Sequence, residues 1–189
     1  TGLFAPLLMQ KKSFWVTQNW GLSLLIAGLG GAFLTGWASD KLFQSRRAPM
    51  AAILYGVMAA GAVMMAVTLD SALWWAGSAV ILMSMAVIGV HGILSGTSTT
   101  DFGGAKNAGA AVGIVDGMVY LGTGLQSVII GSITPTGAAA KDPNNWFWWP
   151  VFLVPFALIG LGLSTRIWNA LPKKAKPAPA ALKPAAAAA

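Results

Sequence analysis

From Gln18 to Trp37 the chain runs for 20 residues without a charge, about the length a helix needs to cross a hydrocarbon core roughly 30 Å thick. Such a stretch leaves few options. Inside a bilayer no water reaches the backbone, so every N–H and C=O must be bonded within the segment, and a helix does this. A dense patch follows, Gly36-Trp37-Ala38-Ser39-Asp40-Lys41-Leu42-Phe43-Gln44-Ser45-Arg46-Arg47, and then a second apolar run. The patch belongs in water and its neighbours in lipid, so the topology can be counted outward from it.

Counted this way, the chain is an all-α integral membrane protein with about five transmembrane helices, at 18–37, 49–69, 72–95, 108–133 and 146–168. Pro49 suits a helix start. Composition agrees, with 56% hydrophobic and 9% charged residues where soluble domains carry about a quarter charged. Residues 1–13 read as the end of a preceding helix and an outer loop, so the chain is expected to be a piece of a longer one. Residues 14–168 form the transmembrane domain, and 169–189 a disordered Pro/Ala/Lys tail.

With no cysteine and only His91 as histidine, neither a disulfide framework nor a metal site is expected, and no cofactor. No nucleophile, base and orienting group occur together, so the chain does not read as an enzyme. A net charge of +7 would suggest nucleic acid for a soluble protein, but these basic residues cluster at the ends of apolar runs. The expected partner is the lipid bilayer, with no nucleic acid.

Lysine and arginine are retained on the cytoplasmic side of membranes. One side would hold nine of them, Lys41, Arg46, Arg47, Lys106 and Arg166 with four tail lysines, against Lys11, Lys12 and Lys141 on the other. This predicts a multi-pass protein of the cell inner (plasma) membrane with a cytoplasmic tail. Tryptophan rings prefer the headgroup level, giving an outer belt of Trp15, Trp20, Trp74, Trp75, Trp146, Trp148 and Trp149, and Trp37 and Trp168 inside. Gly28, Gly30, Gly31 and Gly36 are expected to let neighbouring backbones approach.

Asp116 is the one acid in the middle of an apolar run. A carboxylate there costs at least a few kcal/mol unless paired, protonated or wet, so it is expected to face a cavity. Helical spacing puts Tyr120 and Thr123 on its stripe and Gln126 slightly off it. The plain alternative is packing against polar groups of another helix. His91 lies near the inner end of its helix, with Ser95 and Ser98 one and two turns on. It reads either as a neutral ring bonded to a backbone carbonyl or as a proton-coupling group, since an ordinary histidine titrates near pH ~6.5. Asp116, Tyr120, His91, Thr123 and Gln126 are thus the candidate substrate or proton pathway.

GWASDKLFQSRR resembles the loop between the second and third helices of each half of a major facilitator superfamily transporter, with Gly36, Asp40, Lys41 and the pair Arg46-Arg47 in the motif's roles. Ser45 stands where a glycine usually precedes the pair, which itself comes two residues late. The form Gly-Trp-x-Ser-Asp-Lys-x-Phe is similar to the organophosphate:phosphate antiporters, as is KNAGAAVGIVDGMVYLG at 106–122, where Lys106, Gly109, Gly113, Tyr120, Leu121 and Gly122 match the eleventh helix. There Asp116 replaces a small residue, and His91 a proline of the tenth helix.

The resemblance implies a partial six-helix half of that fold, the C-terminal half, running from the end of helix seven through helix twelve. It implies exchange of an organic phosphate, a small anionic solute, for inorganic phosphate by alternating access, with the N-terminal half of the same transporter as partner. It also implies phosphate-binding arginines on helices one and seven, and a cytoplasmic gate formed by Gly36, Asp40, Lys41, Arg46 and Arg47, where the plain alternative is a solvated turn. Other readings are a proton-coupled carrier of another organic anion, with Asp116 and His91 coupling, or a non-transporting membrane anchor or assembly subunit.

Overall fold

Each apolar run of the described residues forms a helix. A computed structural model describes residues 18–70 and 73–171. Helix α1 is Trp20–Leu42, α2 Arg47–Val67, α3 Leu73–His91, α4 Ser98–Ile133 and α5 Trp148–Arg166. A π-helical turn, Gly92–Thr97, joins α3 to α4. The helix breaks at Gly104, whose φ of 71° and ψ of 162° suit only glycine. Five stretches are long and apolar enough to cross a membrane, Trp20–Leu42, Arg47–Val67, Trp74–Gly104, Lys106–Ile133 and Pro143–Arg166. The expected five-span, all-helical architecture holds.

The expected loops are shorter than the polarity of their residues suggests. Gly36 to Leu42 continue α1, so Asp40 and Lys41 ride on a helix and the connection shrinks to Phe43–Arg46. There Gln44 and Ser45 take positive φ, 53° and 62°, and the Ser45 N–H reaches back 3.0 Å to the Ser39 carbonyl. Ser95 to Gly103 stay helical although nearly every side chain is polar. The hydroxyls bond the helix's own carbonyls: Thr97 donates to Ile93, Thr99 to Ser95 at 2.6 Å and Thr100 to Thr97 at 2.8 Å. Hydroxyl back-bonding satisfies carbonyls where the ladder is disturbed.

Packing follows small residues. The buried positions of α1 are Ser23, Ala27, Gly31, Thr35 and Ser39, each four after the last, so one narrow stripe faces α3. Within α1 only Gly31 must be glycine, since a methyl group there would overlap the Met85 backbone, and across the same crossing a methyl group at Gly89 of α3 would overlap the buried Thr35 side chain. Gly28 and Gly30 make ordinary contacts and Gly36 faces open space, so the stripe has one essential glycine rather than four. Helix α2 lies between α3 and α5. Its Ala62 and Met65 join Ala79, Val80 and Met83 of α3 in a buried cluster, flanked by Trp20, Trp149 and Leu153.

Helix α4 is the exception. It lies against the π turn and touches α5 lightly, leaving Ile114, Met118, Leu121, Leu125 and Val128 exposed. Trp74, Trp75 and Trp148 are exposed at helix starts, as a belt requires, but Trp146 is buried and its indole Nε1 donates to the Ala140 carbonyl at 3.0 Å. It pins the loop before α5 instead of facing headgroups. Trp15 lies outside the described residues, as do residues 1–13 and the tail beyond Leu171.

Candidate functional site

Two polar constellations occur, one at the charged end of the bundle and one at mid-depth. At the charged end, Arg47 opens α2 with its side chain only 10% exposed. Its Nη1 donates to Asp40 Oδ1 at 2.6 Å and its Nε to Asp101 Oδ2 at 2.8 Å. Nη1 also donates to Ser39 Oγ at 3.1 Å, whose own hydroxyl reaches the Arg46 carbonyl at 3.3 Å. Ser45 Oγ donates to Asp40 Oδ1 at 3.0 Å. One guanidinium thus ties α1, α2 and the helix that continues α3.

A guanidinium presents donors in a fixed fork that two carboxylates can share. An exposed pair contributes at most about 1 kcal/mol, and Asp40 is 55% exposed. Arg47 is the member whose charge is out of water and must be matched. Asp101, at 23% exposure, is its more sheltered partner. The basic pair divides its work, since Arg46 turns back to donate to the Phe43 carbonyl at 3.3 Å. Lys41 is exposed and outside the network, and Gly36, half-buried, is also outside it. Phe43 meets Trp168 edge-on, ring centroids 6.4 Å apart, which brings the end of α5 to the same side.

At mid-depth, Ser95 of the π turn donates its hydroxyl to Asp116 Oδ1 of α4. His91 Nε2 stands 3.8 Å from the same oxygen. Side chains from α3, the π turn and α4 therefore converge on one carboxylate. Asp116 and His91 are 31% and 41% exposed. The expected stripe along α4 does not join them. Tyr120 is 69% exposed, Thr123 spends its hydroxyl on the Val119 carbonyl at 2.8 Å, and Gln126 is exposed. Helical spacing aligned these residues with Asp116, but α4 has little packed against it that would gather them. Among the described residues no cluster of three or more metal-ligating side chains occurs.

Comparison with known proteins decides the kinship. The chain is 29% identical over 168 residues, 86% of its length, to a probable hexose phosphate transport protein of Chlamydia muridarum. It is 28% identical over 153 residues, 76% of its length, to the glycerol-3-phosphate transporter of Bacillus subtilis. The chain is a relative of the organophosphate transporters. A third relative, the membrane sensor protein UhpC of Salmonella typhimurium, is 29% identical over 160 residues, 80% of the chain. The resemblance to the organophosphate:phosphate antiporters of the major facilitator superfamily is thereby borne out. The chain spans about a third of the length of these relatives, 31% to 35%. They are named as transport or sensor proteins and not as enzymes. No family model matches the chain, and no solved structure matches it.

For this organophosphate transporter relative, the structure adds members that the sequence did not point to. Asp101 belongs with Arg47, and the only sign of it was an acid in the polar run after His91. Ser45 occupies the place of a usual glycine, has the positive φ that glycine tolerates, and supplies a hydroxyl to Asp40 that glycine lacks. Sequence places Ser95 only one turn from His91; in the structure the π turn sets it across from Asp116.

Proposed function

We propose that this chain forms most of the C-terminal half of a plasma-membrane transporter that exchanges an organic phosphate for inorganic phosphate by alternating access. The reading is carried by the similarity, over most of the chain, to proteins named for hexose phosphate and glycerol-3-phosphate transport. In such a carrier two helical halves rock against each other around a central site. The Arg47 clamp suits that motion, because it makes the charged ends of α1 and α2 and the first turns of α4 move together. Asp40, bonded to Arg47 yet more than half exposed, retains a face for the N-terminal half. The clamped end is cytoplasmic, where the arginines and Lys41 belong.

The test is uptake of labelled hexose phosphate and glycerol-3-phosphate into proteoliposomes of the native protein loaded with inorganic phosphate. Both are expected to enter at least tenfold faster than through protein-free vesicles, and unphosphorylated glucose and glycerol are not. Asp40→Lys, which sets a second cation beside Arg47, is expected to reduce uptake tenfold or more. Normal uptake by Asp40→Lys would argue against a gate, and absence of uptake by the wild type against organophosphate transport.

A further inference from the structure

We propose that His91, Ser95 and Asp116 form a proton-binding site, at which one proton is taken up and released in each transport cycle. This rests on the transporter reading and adds what couples to it. The argument begins with depth. At 1.5 Å per residue, His91 and Asp116 lie about 15–20 Å from the charged helix ends at Gly104 and Lys106, and about 25 Å from the opposite ends at Trp74 and Ile133. Both stand well inside the hydrocarbon thickness, where a carboxylate without a counter-charge costs at least a few kcal/mol.

Among the described residues no other charged side chain lies within 4 Å of the pair. α1 and α2 pack on α3 and contribute Tyr55 at depth, with Asp40, Lys41 and Arg47 at their charged ends. α4 contributes Tyr120, one turn beyond Asp116, and Lys106, about 15 Å back along the helix; α5 contributes Arg166 at its end. Asp101 is committed to Arg47. Among the described residues His91 is the basic side chain within 4 Å of Asp116, and it supplies positive charge only when protonated.

The chemistry is a single proton transfer. A proton from water binds His91 Nε2, leaving an imidazolium 3.8 Å from Asp116 Oδ1, and the two charges offset each other. Its release to water on the other side leaves a neutral ring and a carboxylate held by the Ser95 hydroxyl. The Ser95 bond exists because the backbone widens there: Gly92–Thr97 is a π turn, a feature frequent at functional sites, and it presents Ser95 to α4. The protonated pair adds one positive charge to offset an anionic solute.

Two readouts on the native protein test this. In ¹⁵N-histidine-labelled native protein the His91 signals are identified by their loss in His91→Gln. They are expected to show both a neutral and a doubly protonated form on acidification, in proportions that differ in Asp116→Asn. In proteoliposomes, an inside-alkaline pH gradient is expected to raise hexose phosphate uptake several-fold. The ratio of uptake with and without the gradient should fall to about one in His91→Gln and in Asp116→Asn, whatever their absolute rates. A pattern that is independent of pH or unmoved by Asp116→Asn overturns the site, as does a gradient response that survives both substitutions. A normal, Asp116-dependent titration in a protein that transports no sugar phosphate supports the proton site and sinks the proposed cargo instead.

Discussion

At the scale of single residues, Ser45 shows how one position resolves a conflict between backbone and side chain. Its φ of 62° is in the left-handed region, which costs a residue with a Cβ about 1–2 kcal/mol. Its hydroxyl bond to Asp40 returns about 0.5–1.5 kcal/mol. Ser45→Gly loses the bond and relieves the backbone, so its stability should stay within about 0.5 kcal/mol of wild type. Ser45→Ala loses the bond and keeps the strain, and should be less stable by about 1 kcal/mol. Thermal unfolding of the purified protein in detergent checks the order, and alanine equal to wild type with glycine below it would contradict the account. Ser45 itself was visible in the sequence as a departure from the glycine of the motif. The compensating bond was not, because it requires knowing that α1 continues through Asp40.

At the scale of elements, hydropathy located all five spans because a long charge-free run in lipid has little alternative to helix. The ends were harder to read, since polarity marks water and not the end of a helix. Asp40 and Lys41 are polar and helical, and the serines and threonines after His91 stay helical by bonding their own carbonyls. The real interruption is Gly104, whose Cβ would meet nothing within 4 Å, so its constraint is purely one of backbone. Gly104→Ala should therefore cost about 1–3 kcal/mol through φ and ψ alone, read as a lower unfolding temperature. Gly36→Ala, in open space within a regular helix, should be neutral or slightly stabilising. Equal behaviour of the two would remove the break from the account. The pairing of Arg47 with Asp101, 54 residues apart, has no local signature, whereas Asp116 was legible as an acid in apolar surroundings and Ser95 as a hydroxyl one turn from His91, and both lacked only the crossing that joins them.

At the scale of the whole molecule, the clamp, Arg166 and the Phe43–Trp168 contact share one end, and the loop before α5 lies at the other. The chain contains no cysteine, so introduced ones report cleanly once any cysteine elsewhere in the native protein is replaced. In cells, Gln44→Cys should react with an impermeant maleimide only after permeabilisation, and Asn144→Cys in intact cells; the reverse pattern would invert the proposed orientation. Helix α4 exposes its apolar length while holding Asp116 at mid-depth, as befits a helix beside a central pathway between two halves. The most direct test of that pathway is efflux of labelled inorganic phosphate from preloaded proteoliposomes of the native protein. External glycerol-3-phosphate or hexose phosphate should accelerate efflux at least tenfold, and efflux that is the same with and without external organophosphate would contradict exchange.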